Sequence, residues 1–174
     1  MLSALRWMVL WLTCTAAACQ AVPARAEEGC TPLKWDVARE RVLFAGVAKA
    51  VAAGGDVAAA PALVPDELYE LTLKPQQQLT PAAPLGKKAR PEGAFAGIAR
   101  VHIGSAGVYR VSLALPGWID VIAEQGVLTS TDFAGGGCGA PHKVVQFALP
   151  SGDIVLQLSG VRTDKMPLTV TRAP

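Results

Sequence analysis

Gly107-Val108-Tyr109-Arg110-Val111-Ser112-Leu113-Ala114-Leu115 is the stretch on which the fold class turns. Tyr109, Val111, Leu113 and Leu115 fall on one parity; Val108, Arg110, Ser112 and Ala114 fall on the other. Successive side chains of a strand leave on opposite faces, so this reading sends Tyr109 into a core and Arg110 into solvent. The same period of two recurs at Val145, Phe147 and Leu149, and again at Ile154, Leu156 and Leu158. Strands are expected over 94–103, 107–115, 118–124, 143–149, 153–159 and 166–172. Gly104-Ser105-Ala106-Gly107, Pro116-Gly117 and Pro150-Ser151-Gly152 supply the turns between them. Short strands at this spacing, with no crossover helices, predict a mainly β protein built as a single antiparallel β-sandwich.

Upstream of that core the pattern is less regular. Residues 68–73 read as one more strand, with Tyr69, Leu71 and Leu73 on one face. Asp36 is placed to cap a short helix over 37–44, with Glu40 near its first turn and Val37, Arg41 and Phe44 or Val42 on its modest apolar side. Residues 45–65 are rich in Ala, Gly and Pro and are expected to be a mobile surface loop; 75–91 is expected to be an exposed linker or long loop. Residues 27–93 are thus an amino-terminal arm, a short helix, one strand and Pro/Ala-rich loops, packed as one domain against a sandwich of 94–174.

The first 26 residues read as a signal peptide. Arg6 precedes the apolar run 7–18, and Ala24-Arg25-Ala26 after Pro23 fits a cleavage site. The apolar run is shorter than the ~20 residues a membrane-spanning helix needs, and no transmembrane span is expected in the mature chain. Ala16-Ala17-Ala18-Cys19 supports a rival reading, a lipid-modified Cys19. Cleavage after Ala26 removes Arg6 and Arg25 and leaves 14 basic residues against 14 acidic ones. A neutral mature chain gives no support for a nucleic-acid partner. It also keeps only Cys30 and Cys138, which in an oxidising periplasmic or secreted setting are expected to form a disulfide.

The segments Gly107-Val108-Tyr109-Arg110-Val111-Ser112-Leu113, Trp118-Ile119-Asp120-Val121 and Val155-Leu156-Gln157-Leu158-Ser159-Gly160, with 30–35 and 138–147, resemble a group of small exported proteobacterial proteins of uncharacterised role. Some of that group carry the label homogentisate dioxygenase. The second half is also similar to β-sandwich domains appended to secreted peptidases. That likeness implies a jelly-roll-like module for binding or folding assistance, and it transfers no catalytic residue.

The residues themselves offer a short list of chemistry. His102 and His142 are the only histidines, and Asp120, Glu124 or Asp132 could complete a two-histidine, one-carboxylate metal set. Their spacing does not bring them together, so two unrelated surface histidines are expected, with no metal and no cofactor. Gly104-Ser105-Ala106-Gly107 lacks the spacing of a nucleophile elbow and reads as a turn. Gly135-Gly136-Gly137-Cys138-Gly139 is expected to let the backbone reach the disulfide, with an anion nest beside Lys143 as the alternative. Trp35 is expected to pack the arm onto the sandwich near the disulfide. Trp118, out of phase with Ile119 and Val121, is expected on the outer face or at a rim. Trp118, His142 and Lys143 are therefore the candidate ligand-binding residues, and no catalytic residue is expected. These features suit a non-enzymatic binding or accessory protein of the cell envelope, whose partner is an envelope protein or a small ligand. The alternatives are an envelope lipoprotein acylated at Cys19 and a small metal-dependent enzyme.

Overall fold

A computed structural model describes residues 32–86, 91–136 and 138–174. Two mixed sheets face each other. The first is built from β1 (Lys49–Ala52), β3 (Leu68–Thr72), β12 (Lys165–Arg172), β6 (Gly107–Leu113), β10 (Lys143–Leu149) and β9 (Asp132–Gly135), in that spatial order. The second runs β2 (Ala62–Leu63), β5 (Phe95–Ile103), β11 (Gly152–Val161), β7 (Trp118–Ala123) and β8 (Gly126–Leu128), with β4 (Lys74–Pro75) also pairing β5. One helix, α1 (Ala38–Phe44), precedes them. The chain is mainly β and sandwich-like, as the period of two requires.

The inward parity of both sheets makes the core. Tyr109, Val111 and Leu113 of β6 meet Val145, Phe147 and Leu149 of β10, and across the gap lie Ile154, Leu156 and Leu158 of β11 with Ile119 and Val121 of β7. Burying each such aliphatic or aromatic side chain contributes about 1.5–3 kcal/mol. Every strand expected in the second half is present, within three residues at either end.

Three findings depart from the sequence reading. The first is strand direction: β1 pairs β3 and β2 pairs β5 in parallel, so the sheets are mixed rather than wholly antiparallel. The second is order where a mobile loop was expected. Residues 49–52 form β1, the Ala53 amide donates to the Thr72 carbonyl at 2.9 Å, and Gly54 bridges Ile98 in both directions. Small residues permit this close approach: a Cβ added at Gly97 would lie 2.5 Å from Ala53 Cβ. The Ala- and Gly-rich composition thus serves tight backbone packing.

The third departure is Arg110. Its parity is outward, as expected, yet it is only 6% exposed, the same as Tyr109. The outer face of the first sheet is itself covered. There α1 lies on β6 and β12, burying Val37 and Glu40 on its inward side, while Arg41 and Val42 face solvent. The Asp36 carboxylate accepts the Ala38 amide at 2.9 Å, one residue ahead of the position expected for a cap. The Glu40 carboxylate accepts from Thr171 Oγ1 at 2.7 Å and from Arg110 Nη1 at 3.4 Å; Nη1 also donates to the Asp36 carbonyl at 2.8 Å. The Trp35 ring stacks over the Arg110 guanidinium at 5.4 Å, and Lys34 pairs with Asp132 of β9. The arm is therefore fastened by charge and stacking as much as by apolar area.

The outer face of the second sheet is closed by the segment after β4. Gln157, fully buried on β11, accepts the Ala82 and Ala83 amides at 2.7 and 3.2 Å. Its own amide donates to the Ala83 carbonyl at 3.0 Å and to Asp120 Oδ2 at 3.1 Å. One side chain thus meets the buried donors and acceptors of that loop. Among the described residues no helix is long and apolar enough to cross a membrane.

Candidate functional site

The two sheets are not closed at the side where β7–β8 face β9–β10. Phe133 shows why. It stands directly opposite Val145 in the β9–β10 ladder, and opposed residues of an antiparallel pair share a face. Val145 is buried in the core, so Phe133 is turned toward the interior as well, yet it is 65% exposed. The edge strand β8, only three residues long, does not extend far enough to cover it.

What remains is a cleft of about 550 Å³, walled by Ile119, Leu128, Phe133, Val145 and Phe147. That volume lies within the range of small-molecule sites. Trp118, Asp120, Thr129, Ser130, Gly135 and Lys143 complete its lining. Lys143 pairs with Leu113 on one side and Gly135 on the other, so its parity is inward too. Its ammonium donates to the Gly117 carbonyl at 2.7 Å and lies over the Trp118 ring at 5.4 Å. Burial lowers the Lys143 pKa from its ordinary value, and the negative charge of Asp120 partly offsets this. Asp120 itself is engaged: Oδ1 accepts Trp118 Nε1 at 2.9 Å, and Oδ2 accepts Gln157.

Two of the three candidate ligand residues, Trp118 and Lys143, therefore line one cleft. His142 precedes β10, where its amide donates to the Leu113 carbonyl, and it is not among the lining residues. His102 lies on the other sheet, exposed, with Nδ1 2.7 Å from Asp153 Oδ1. Asp132 is held by Lys34. Among the described residues no three His, Cys, Asp or Glu side chains gather as a metal set. Cys138 lies on the surface after β9, and its expected partner Cys30 is outside the described residues, as are Cys19 and the whole of 1–26. The glycine run considered as an anion nest has its first member in β9, opposite Lys143, and Gly137 lies outside the described residues.

Sequence reasoning passed over Phe133 and misplaced Arg110. The alternation of Asp132-Phe133-Ala134-Gly135 is too short to show a strand, and its pairing with Val145 is non-local. A second cavity, of about 300 Å³, lies beside the Arg110–Glu40 pair and is bordered by Arg39, Arg172 and Pro174. The chain matches no known family model and no curated protein.

Proposed function

We propose that this protein is an exported, non-enzymatic binding protein of the cell envelope, and that it holds a small, largely apolar ligand in the lateral cleft of its sandwich. The observation that carries the reading is Phe133: an inward-facing aromatic left 65% exposed beside the core side chains Ile119, Val145 and Phe147. A lone exposed aromatic is ordinary, but one that opens onto an apolar-lined cleft is the arrangement of a small-molecule site. The polar groups suit holding rather than catalysis. Asp120 already accepts two donors, which leaves it poorly placed to act as a base. Export is supported by the signal-like residues 1–26, and a Cys30–Cys138 disulfide belongs with it. The Ala16-Ala17-Ala18-Cys19 box favours one alternative, a lipid anchor at Cys19 on the same binding domain.

Gly135 supplies the test. A Cβ added there meets nothing within 4 Å, and its position opposite Lys143 aims that Cβ into the cleft. Gly135→Trp should fill the cleft without unfolding the chain. Native protein purified from the envelope fraction is expected to release a stoichiometric small molecule on denaturing extraction, and Gly135→Trp protein is expected to release none. Equal amounts from both, or none from the native protein together with no probe binding blocked by Gly135→Trp, would overturn the reading.

A further inference from the structure

The cleft has one charged donor, and its geometry narrows the ligand. An ammonium group carries three N–H donors. In Lys143 one is taken by the Gly117 carbonyl at 2.7 Å. Among the described residues Lys143 makes no ion pair, although Asp120 lines the same cleft. Asp120 is turned instead to Trp118 Nε1 and Gln157 Nε2. A partly buried ammonium lying over the Trp118 ring, in a cleft with no paired carboxylate, is costly unless an anion reaches it.

From this we infer that the ligand is an amphiphile with a single carboxylate: the carboxylate takes the two remaining Lys143 N–H donors and the apolar tail runs along Phe133, Leu128 and Phe147. The inference rests on the binding reading above. A carboxylate brings the single negative charge that balances one ammonium, and its oxygens can accept from the donors that Gly117 leaves free. A doubly charged phosphate would bring a second negative charge toward Asp120 with no further cation in the lining. A neutral chain would leave the ammonium unmatched. A cationic head would meet Lys143 directly. The tail side carries no charge and is mostly apolar: Leu128 and the exposed Phe133, with the buried Val145 and Phe147, beside Thr129 and Ser130.

Calorimetric titration of the full mature protein with three probes of equal chain length separates these possibilities: decanoate, 1-decanol and decyltrimethylammonium. Decanoate is expected to bind at least 10-fold more tightly than 1-decanol, and decyltrimethylammonium more weakly still. Lys143→Met should erase the preference for decanoate and leave 1-decanol affinity within about 2-fold, while Lys143→Arg should retain the preference. Gly135→Trp should abolish binding of all three. If 1-decanol or decyltrimethylammonium matches decanoate, and Gly135→Trp still blocks them, the carboxylate assignment is wrong while the binding cleft stands. If no probe binds, or if Gly135→Trp blocks none of them, both readings fail together.

Discussion

Replacing Arg110 by Ala should be among the most damaging changes in this chain, although a strand pattern alone assigns Arg110 to solvent. Its guanidinium donates to the Asp36 carbonyl at 2.8 Å, reaches Glu40 at 3.4 Å and stacks under Trp35. Glu40 is 2% exposed. Truncating Arg110 leaves that carboxylate buried with the Thr171 hydroxyl as its remaining donor. Removing one member of a buried pair costs about 3–5 kcal/mol, because the surviving charge stays desolvated. Arg110→Ala is therefore expected to fall in that range, close to Tyr109→Ala. The latter removes a core ring, at a cost of about 3–5 kcal/mol, and its hydroxyl bond to the Ser105 carbonyl at 2.9 Å. The double replacement Glu40→Leu with Arg110→Met deletes both charges and keeps the volume. It should be less destabilised than Arg110→Ala, since apolar isosteres of buried pairs are often neutral, with a residual cost of about 1–3 kcal/mol because the buried Thr171 hydroxyl loses its Glu40 acceptor. Urea unfolding of Glu40→Leu, Arg110→Met and the double variant yields the coupling directly. A cost near 0.5 kcal/mol for Arg110→Ala would mean that α1 does not seal the outer face of the sheet. A double variant as unstable as the sum of its singles would mean that Arg110 acts through something other than Glu40.

Three further outcomes follow from the packing. Gln157→Leu strips the Ala82 and Ala83 amides and the Ala83 carbonyl of their partner; at about 1–3 kcal/mol per stranded buried group, hydrogen exchange at residues 82 and 83 should accelerate at least 10-fold, and unchanged protection would show that the loop is held by other contacts. Gly97→Ala drives a Cβ to within 2.5 Å of Ala53 and 2.9 Å of Leu73; an overpacking cost of about 1–3 kcal/mol should appear as a lower thermal midpoint, and a neutral result would place β1 farther from β5. Burial lowers the Lys143 pKa, so between that value and the ordinary lysine value the unfolded chain binds more protons than the folded one. Lys143 therefore opposes folding below its folded pKa, and stability should rise with pH through that alkaline window; Lys143→Met should be more stable at neutral pH and lose this rise in denaturant melts, and an unchanged slope would mean that Lys143 is not desolvated.

Local alternation was enough to place six strands in the second half and one at 68–72, because a half-buried strand must repeat every two residues whatever it pairs with. The pattern that reads as a signal peptide is equally local. The helix was legible from Asp36 onward, since its cap and first turn adjoin in sequence. Parity also says correctly which neighbours oppose each other: Tyr109 and Arg110 do face opposite ways. It cannot say whether the second face is wet or covered. That depends on α1 docking some 70 residues away in sequence, through Glu40, Asp36 and Trp35. The strand at 49–52 is invisible for the same reason, because its four residues form a ladder only when Tyr69 and Leu71 lie beside them. The cleft is the extreme case. Trp118 and Lys143 could be picked out by residue type, but Phe133 becomes a site residue only through its position opposite Val145 and the shortness of β8. A strand's period is a property of one backbone, whereas the covering or opening of its faces is set by chain segments distant in sequence, which no local pattern encodes.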